Sequence, residues 1–165
     1  MLLDVKNLTK SYAGPDGDVP VLRGVDLSLD RGEMLALTGE SGSGKSTLLH
    51  LVGGLDLPNA GQILMNGEDT AGLDDAGRAA LRRDRVGVIF QQFNLIPSMT
   101  VAANIGFHAC LAGRQDGAYE AALTMALGLT DHLQKFPEQL SGGQQQRVAI
   151  ARTLAAKPAL VLADE

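Results

Sequence analysis

Short apolar runs and glycine-rich loops divide this chain, and the sequence contains no internal repeat. Val25, Leu27 and Leu29 alternate with polar residues, which is the period-two pattern of a strand with one solvated face. An earlier strand is predicted near residues 2–8, and turn residues at 13–18 predict a loop between the two strands. The N-terminal part of the chain is therefore predicted to form a sheet, with this loop at its edge.

The rest of the chain alternates between strand patterns and helix patterns. Short continuous apolar runs are typical of buried strands, whereas longer segments with apolar residues on one face indicate helices. Strands are predicted at Met34–Leu37, Val86–Phe90 and Ala159–Ala163, and helices at Ser46–Val52, Val101–Leu111, Ala118–Leu127 and Gln144–Ala155. This order of elements predicts an α/β protein.

The composition indicates one cytoplasmic domain over residues 1–165. The chain is 45% hydrophobic and carries a formal net charge of −5, which disfavours general attraction to nucleic-acid phosphates, so we expect no nucleic-acid partner. No apolar stretch approaches the ~18 residues that span a bilayer, and Asp4 lies where a signal peptide needs apolar residues. The single cysteine, Cys110, has no partner for an internal disulfide, and we expect it to be a packing residue.

A phosphate-binding loop is predicted between the second strand and the first helix. The segment Gly39-Glu40-Ser41-Gly42-Ser43-Gly44-Lys45-Ser46 fits the pattern G-x-x-x-x-G-K-[ST]. Glycines let backbone N–H groups turn toward phosphate oxygens, and the following helix adds a partial positive charge. Lys45 is expected to reach the β and γ phosphates, and Ser46 to ligate Mg²⁺. The residues expected to bind ATP here are Gly39, Ser41, Gly42, Ser43, Gly44, Lys45, Ser46 and Thr47.

An acidic pair follows the last predicted strand. Asp164 and Glu165 lie at its C-terminal tip, where open α/β sheets bind ligands. An acidic pair by itself is usually only solvated, but here a phosphate loop lies upstream. We therefore expect Asp164 to hold Mg²⁺ and Glu165 to orient the attacking water.

The segment Leu140-Ser141-Gly142-Gly143-Gln144 completes the set of motifs. Together with the phosphate loop and the acidic pair, it resembles the L-S-G-G-Q signature of the ATP-binding subunit of ABC transporters. The resemblance implies that Ser141, Gly142, Gly143 and Gln144 bind the γ-phosphate held by a second copy. Small residues and exposed amides at a helix N-terminus form an anion site. The alternative is a Ser-Gly-Gly helix cap that binds no ligand.

The resemblance to ABC transporters implies further roles and partners. It implies a P-loop NTPase fold with an N-terminal antiparallel β part and a mostly parallel core sheet. In this fold Tyr12 stacks on adenine, and Gln91 contacts Mg²⁺ and the attacking water. It also implies catalysis by Glu165, Gln91 and Lys45, with Ser46, Gln91 and Asp164 as metal ligands. A helical subdomain at about residues 92–143 would dock onto transmembrane permease subunits on the cytoplasmic face of the membrane, and two copies would form a head-to-tail sandwich.

Three segments resemble one branch of that family. Residues 53–56, 90–97 and 140–147 are most similar to the lipoprotein-release and macrolide-export proteins. The resemblance implies ATP binding and hydrolysis that power export or lipoprotein release.

Two alternatives to a working transporter ATPase stay open, and the first follows from the acidic pair at the end of the sequence. Members of the family continue past the glutamate with core strands and a histidine that senses the γ-phosphate, so we expect this chain to be C-terminally truncated. A missing central strand would leave buried backbone groups unpaired and lower the stability, and a terminal α-carboxylate at Glu165 would add a negative charge beside the catalytic carboxylate. We therefore expect slow hydrolysis, or an inactive nucleotide-binding fragment. The second alternative is a soluble ABC ATPase that acts on DNA or ribosomes. The presence of one short copy of the domain argues against it, as do residues 93–97.

Overall fold

The structure is a computed structural model that describes residues 1–15 and 17–164. The chain divides into two compact units, Met1–Leu81 and Arg82–Glu165. The strands are β1 (Leu3–Gly14), β2 (Gly17–Leu29), β3 (Ala60–Met65), β4 (Glu68–Asp69), β5 (Val86–Ile89) and β6 (Leu160–Ala163). The helices are α1 (Lys45–Val52), α2 (Asp75–Asp84), α3 (Val101–Leu111), α4 (Gly117–Ala126) and α5 (Gly142–Ala155), with 3₁₀ turns at Thr130–His132 and Pro137–Gln139.

The first unit is built on an antiparallel sheet. Its described strands follow the order β2-β1-β3-β4. β1 and β2 form one long hairpin that pairs from Leu3 opposite Leu29 to Gly14 opposite Gly17. The inward residues of β1 and β3 form its core, where Leu8 and Ile63 are at most 1% exposed. The prediction of an N-terminal antiparallel sheet is confirmed.

The prediction of a strand at Met34–Leu37 is wrong. This run has no strand geometry, and the exposed fractions of Met34 and Leu35 are 97% and 48%. An apolar run becomes a buried strand only when neighbouring strands take its backbone hydrogen bonds. Among the described residues, the strand pairs are those within β2-β1-β3-β4 and between β5 and β6, and neither sheet includes this run.

The second unit combines a parallel strand pair with a helical core. β5 and β6 pair in parallel from Val86 opposite Leu160 to Ile89 opposite Ala163. Helices α3 and α5 pack together around a cluster of buried side chains, with Leu95, Leu123, Leu127 and Leu133 packed against it. The cluster consists of Val101, Ile105, Ala109, Leu129, Leu140, Val148, Ala151 and Ala155. No helix in the described residues combines the length and the apolar content that crossing a bilayer requires.

Candidate functional site

The phosphate loop ends at Gly44, a position that no residue with a Cβ can occupy without strain. Gly44 precedes α1 with a φ of 94°, in the left-handed region, which side chains with a Cβ rarely adopt. A Cβ at this position would also lie 2.8 Å from Leu22 Cδ2 and 3.1 Å from Val21 Cγ1. The hairpin strand β2 therefore packs directly against the loop and fixes where α1 begins.

The side chain of Lys45 folds back over this loop. Its Nζ donates hydrogen bonds to Gly39 O at 2.9 Å, to Glu40 O at 2.8 Å and to Ser43 Oγ at 3.4 Å. The first turn of α1 is fully described and carries no acidic side chain, so the partial positive charge of the helix N-terminus is not neutralised there. The loop therefore presents one ammonium group and a helix N-terminus within a few residues, which is the arrangement of an anion site.

Tyr12 lies at the end of β1 in a network that sequence analysis did not predict. Its hydroxyl donates to Asp56 Oδ2 at 2.9 Å, and Lys10 Nζ lies 4.9 Å from the centre of its ring. Lys10 is 9% exposed and also donates to Asp56 Oδ1 at 2.8 Å and to Leu57 O at 2.6 Å. The residue as a whole is 41% exposed. The aromatic ring of Tyr12 is thus oriented by Asp56 and Lys10, and the residue keeps solvent-exposed surface.

Asp56 stays ionised in this network. Burial opposes its ionisation, but hydrogen bonds from Lys10, from the Leu57 N–H and from the Tyr12 hydroxyl outweigh burial and lower the pKa of the carboxyl below its ordinary value. The carboxylate therefore joins the ammonium of Lys10 to the phenol of Tyr12 at neutral pH.

Two predicted Mg²⁺ ligands of the second unit lie at the same sheet edge. β5 and β6 are parallel and paired through Ile89 and Ala163, and the Asp164 N–H donates to Ile89 O at 3.0 Å. Gln91 follows β5 by two residues and is exposed, and Asp164 follows β6 directly. Because the carboxyl ends of parallel strands share an edge, both side chains begin there. Glu165, the predicted catalytic glutamate, lies outside the described residues.

The signature segment forms the N-terminus of α5. Ser141 is the N-cap, and its Oγ accepts the Gln144 N–H at 3.3 Å while Gln144 Oε1 accepts the Ser141 N–H at 2.8 Å. A Cβ added to Gly142 or Gly143 would meet no described atom within 4 Å. Packing among the described residues therefore gives no reason for the two glycines, whereas close approach by an external group would.

Arg152, like Lys10 and Asp56, was not predicted from the sequence as part of the candidate site. It lies on α5 with 5% exposure, and its guanidinium donates to Asn94 O at 2.8 Å and to Phe93 O at 2.9 Å. Burial lowers its pKa from the ordinary value. These hydrogen bonds join the helix of the signature to the segment just after Gln91. The sequence gives no local signal for them because 58 and 59 residues separate the partners.

The histidine on α3 is expected to make the stability of the protein depend on pH. Burial lowers the pKa of His108 from 6.5 to about 4, and the positive charge of Arg152 adds to this shift. Below pH 6.5 the imidazole of His108 binds a proton in the unfolded chain but stays neutral in the native state. The contribution of His108 to the free energy of unfolding is therefore fully present above pH 6.5 and is lost as the pH falls toward 4.

The free energy of unfolding is expected to fall less on acidification in His108→Gln, by about 1–2 kcal/mol. This is less than the full pKa shift implies, because the side chain is partly solvated. Urea unfolding of both proteins at several pH values between 7.5 and 4.5 measures the difference. If the free energy of unfolding changes with pH equally in the two proteins, the assignment to His108 is contradicted.

The predicted site residues belong to two different units. Tyr12 and the loop residues 39–47 lie in the first unit, whereas Gln91, Asp164 and residues 141–144 lie in the second. Within the described residues, no three His, Cys, Asp or Glu side chains are grouped to hold a metal ion. Mg²⁺ commonly takes only one or two protein ligands and completes its shell with water and substrate phosphates, so an ion that arrives with a nucleotide needs no such group.

The fold and the phosphate loop define a P-loop NTPase of the ABC type. A dimeric structure of MJ0796, a bacterial ABC transporter cassette, is 38% identical with a TM-score of 0.91, over 99% of this chain and 74% of that one. A post-hydrolysis state of the same cassette bound to ADP and phosphate has a TM-score of 0.89. Residues 22–165 match the model of the family described as ABC transporter. The chain belongs to the ABC transporter family, and the predicted fold is confirmed.

The curated relatives include transporters of both directions. The methionine import ATP-binding protein MetN of Caulobacter vibrioides is 48% identical, over 99% of this chain and 49% of its own length. The macrolide export ATP-binding/permease protein MacB 2 of Aeromonas hydrophila is 46% identical, over 99% of this chain and 26% of its own length. The chain thus spans about half or less of these relatives, and their similarity does not separate import from export.

Proposed function

We propose that this chain binds Mg-ATP and hydrolyses it as the energy-supplying domain of an ABC transporter. The observation that carries the proposal is the loop between Gly39 and Lys45, closed by a left-handed Gly44 and crossed by the lysine ammonium. Phosphate oxygens would replace the carbonyl oxygens of Gly39 and Glu40 as partners of Lys45. An ammonium gains more from an anionic acceptor than from a neutral one, so this exchange favours binding.

The remaining site residues hold the other parts of the nucleotide. Tyr12 offers an exposed ring face for adenine, and Lys10 and Asp56 keep the ring in place. Ser46, Gln91 and Asp164 are the proposed protein ligands of Mg²⁺, which would neutralise charge on the transferring phosphoryl group. Glu165 is proposed from its sequence position to orient the attacking water.

The signature is proposed to act on the nucleotide of a second copy. The first turn of α5 is exposed, and the glycines at 142 and 143 leave space for an approaching group. A phosphate at this helix N-terminus would gain from the helix dipole and from N–H groups without intrahelical partners. Two copies related by a two-fold axis would each present a signature to the other copy's phosphate loop. The dimeric structure of the cassette MJ0796 supports the pairing of two copies.

We propose export or lipoprotein release as the transport direction, on the residues at 90–97 and 140–147. The domain would then sit on the cytoplasmic face of the membrane through permease subunits that its helices contact. Purification of the native complex with its membrane partner tests this proposal. A permease of the macrolide-export type supports export, and one of the methionine-import type contradicts it.

ATP binding and phosphate release, measured on the same preparation, test the enzymatic proposal. We expect saturable ATP binding and phosphate release that requires Mg²⁺ and stops when the ion is chelated. Binding without any phosphate release would favour the alternative of an inactive nucleotide-binding fragment. Absence of ATP binding would contradict the proposed function altogether.

A further inference from the structure

The side chain of Gln144 is held at both ends of its amide. Its Oε1 accepts the Ser141 N–H at 2.8 Å, and its Nε2 lies 3.0 Å from His132 Nε2. A glutamine side chain has several rotatable bonds and loses much rotamer freedom when it is fixed. The two contacts together select one orientation of the amide, and that orientation closes the capping box of α5.

The direction of the hydrogen bond to His132 follows from this network. Because Gln144 Oε1 is bound to the Ser141 N–H, the amide nitrogen is the atom that faces the imidazole, and an amide nitrogen only donates. His132 Nε2 must therefore accept, which places the proton of the neutral ring on Nδ1. Nδ1 is buried and has no hydrogen-bond partner in the described part of the chain. Among the described residues, the hydrogen bond from Gln144 to Nε2 is thus the one hydrogen bond of the His132 ring.

The backbone that carries His132 is anchored in the helical core. Its N–H donates to Leu129 O at 2.9 Å, and its carbonyl accepts the Lys135 N–H at 2.9 Å. Leu129 is 0% exposed and belongs to the same cluster as Val148 of α5, and Leu133 packs against that cluster. The backbone of His132 is therefore anchored to the same core as the helix that begins with the signature.

We infer that His132 is a positioning residue that holds the signature glutamine Gln144 in the orientation that caps α5. The inference rests on the proposed function, because Ser141 and the amides beside it are the groups proposed to bind the γ-phosphate of the second copy. Without the acceptor on His132, the amide is free to turn toward solvent and the Ser141 N–H loses its partner. The first turn of α5 then loses one of the two bonds of its capping box.

Two substitutions at this position separate positioning from simple packing. His132→Leu removes the acceptor and keeps an apolar side chain, while His132→Gln supplies an oxygen at a distance from the backbone similar to that of Nε2. We expect kcat for ATP to fall roughly 5–10-fold in H132L, as for the loss of one ordinary hydrogen bond, and to recover to within about twofold in H132Q. The Kd for ATP of the isolated subunit stays unchanged in both, because its own phosphate loop is intact.

The outcomes of this comparison are distinct. A kcat of H132L equal to that of the unsubstituted protein, or no recovery in H132Q, overturns the inference. So does a parallel loss of ATP affinity and thermal stability in H132L, because a structural defect would then explain the activity. If the unsubstituted protein hydrolyses no ATP, the proposed function fails, and the contact itself is judged by spectroscopy.

Nitrogen-15 NMR of the histidine rings supplies that second measurement and requires no activity. We expect His132, assigned by its loss in H132Q, to show the tautomer protonated at Nδ1. The side-chain amide resonances of Gln144 are expected to shift in H132L. A tautomer protonated at Nε2, or an amide of Gln144 that does not respond, overturns the inference.

Discussion

Replacement of Lys45 by alanine is expected to lower ATP turnover by roughly 10²–10³-fold, the cost of removing one preorganised charged donor from a reacting phosphate. The lysine ammonium is held by Gly39 O, Glu40 O and Ser43 Oγ in the structure, so it is placed before the nucleotide arrives. Alanine removes both the charge and the contacts that shape the loop. Phosphate release at saturating ATP, with ATP affinity measured separately, quantifies the loss.

Lys6→Ala is the matched control for this substitution. Lys6 lies in the same unit, its side chain is 53% exposed, and its ammonium pairs with Asp4 at 3.1 Å on the surface. The control removes the same charge, and we expect turnover within about twofold of the unsubstituted protein because exposed ion pairs contribute little. Turnover in the Lys45 variant above a third of the normal rate would contradict the role proposed for the loop.

Elements with a local signal were predictable from the sequence. The helix predicted at Val101–Leu111 has the same bounds in the structure, where the Thr100 side chain caps it by accepting the Ala103 N–H. The phosphate loop and the signature are each one contiguous segment, so their patterns are recognised without coordinates, while the binding roles assigned to them stay predictions. Local patterns of this kind carry their own evidence.

Elements that depend on distant partners were not predictable. β3 pairs with β1 through Leu3 and Met65, which are 62 positions apart, and sequence analysis placed no strand at its position. α2 has Leu81 as its one buried residue and therefore carries no apolar stripe. The run at 34–37 shows the opposite error, because an apolar pattern without a paired neighbour was interpreted as a strand.

The same limit applies to the candidate site. Tyr12 was proposed from the family resemblance, but the side chains that hold it were not, since Asp56 lies 44 positions away. Gln144 was proposed as a phosphate-binding residue, and its contact with His132 became visible only when the turn at Thr130–His132 was placed. Motifs thus suffice to propose residues that contact the nucleotide, whereas the residues that orient them needed coordinates.

Replacement of Leu129 by alanine is expected to destabilise the protein by about 2–5 kcal/mol, the usual cost of truncating a fully buried leucine. Leu129 is 0% exposed and lies in the cluster that includes Ile105 of α3 and Val148 of α5. Its N–H donates to Thr124 O at 2.8 Å, and its carbonyl accepts the His132 N–H at 2.9 Å, so the backbone around the truncated side chain is hydrogen-bonded on both sides. Such a site collapses poorly, and a cavity remains.

Urea unfolding followed by circular dichroism measures this effect, with Met125→Ala as the control. Met125 lies on α4 in the same unit and is 74% exposed, so its truncation should change the free energy of unfolding by no more than about 0.5 kcal/mol. A loss below about 1 kcal/mol in the Leu129 variant would mean that the cluster repacks around alanine. Because the turn that carries His132 begins directly after Leu129, a rigid cluster here is also what the positioning of Gln144 requires.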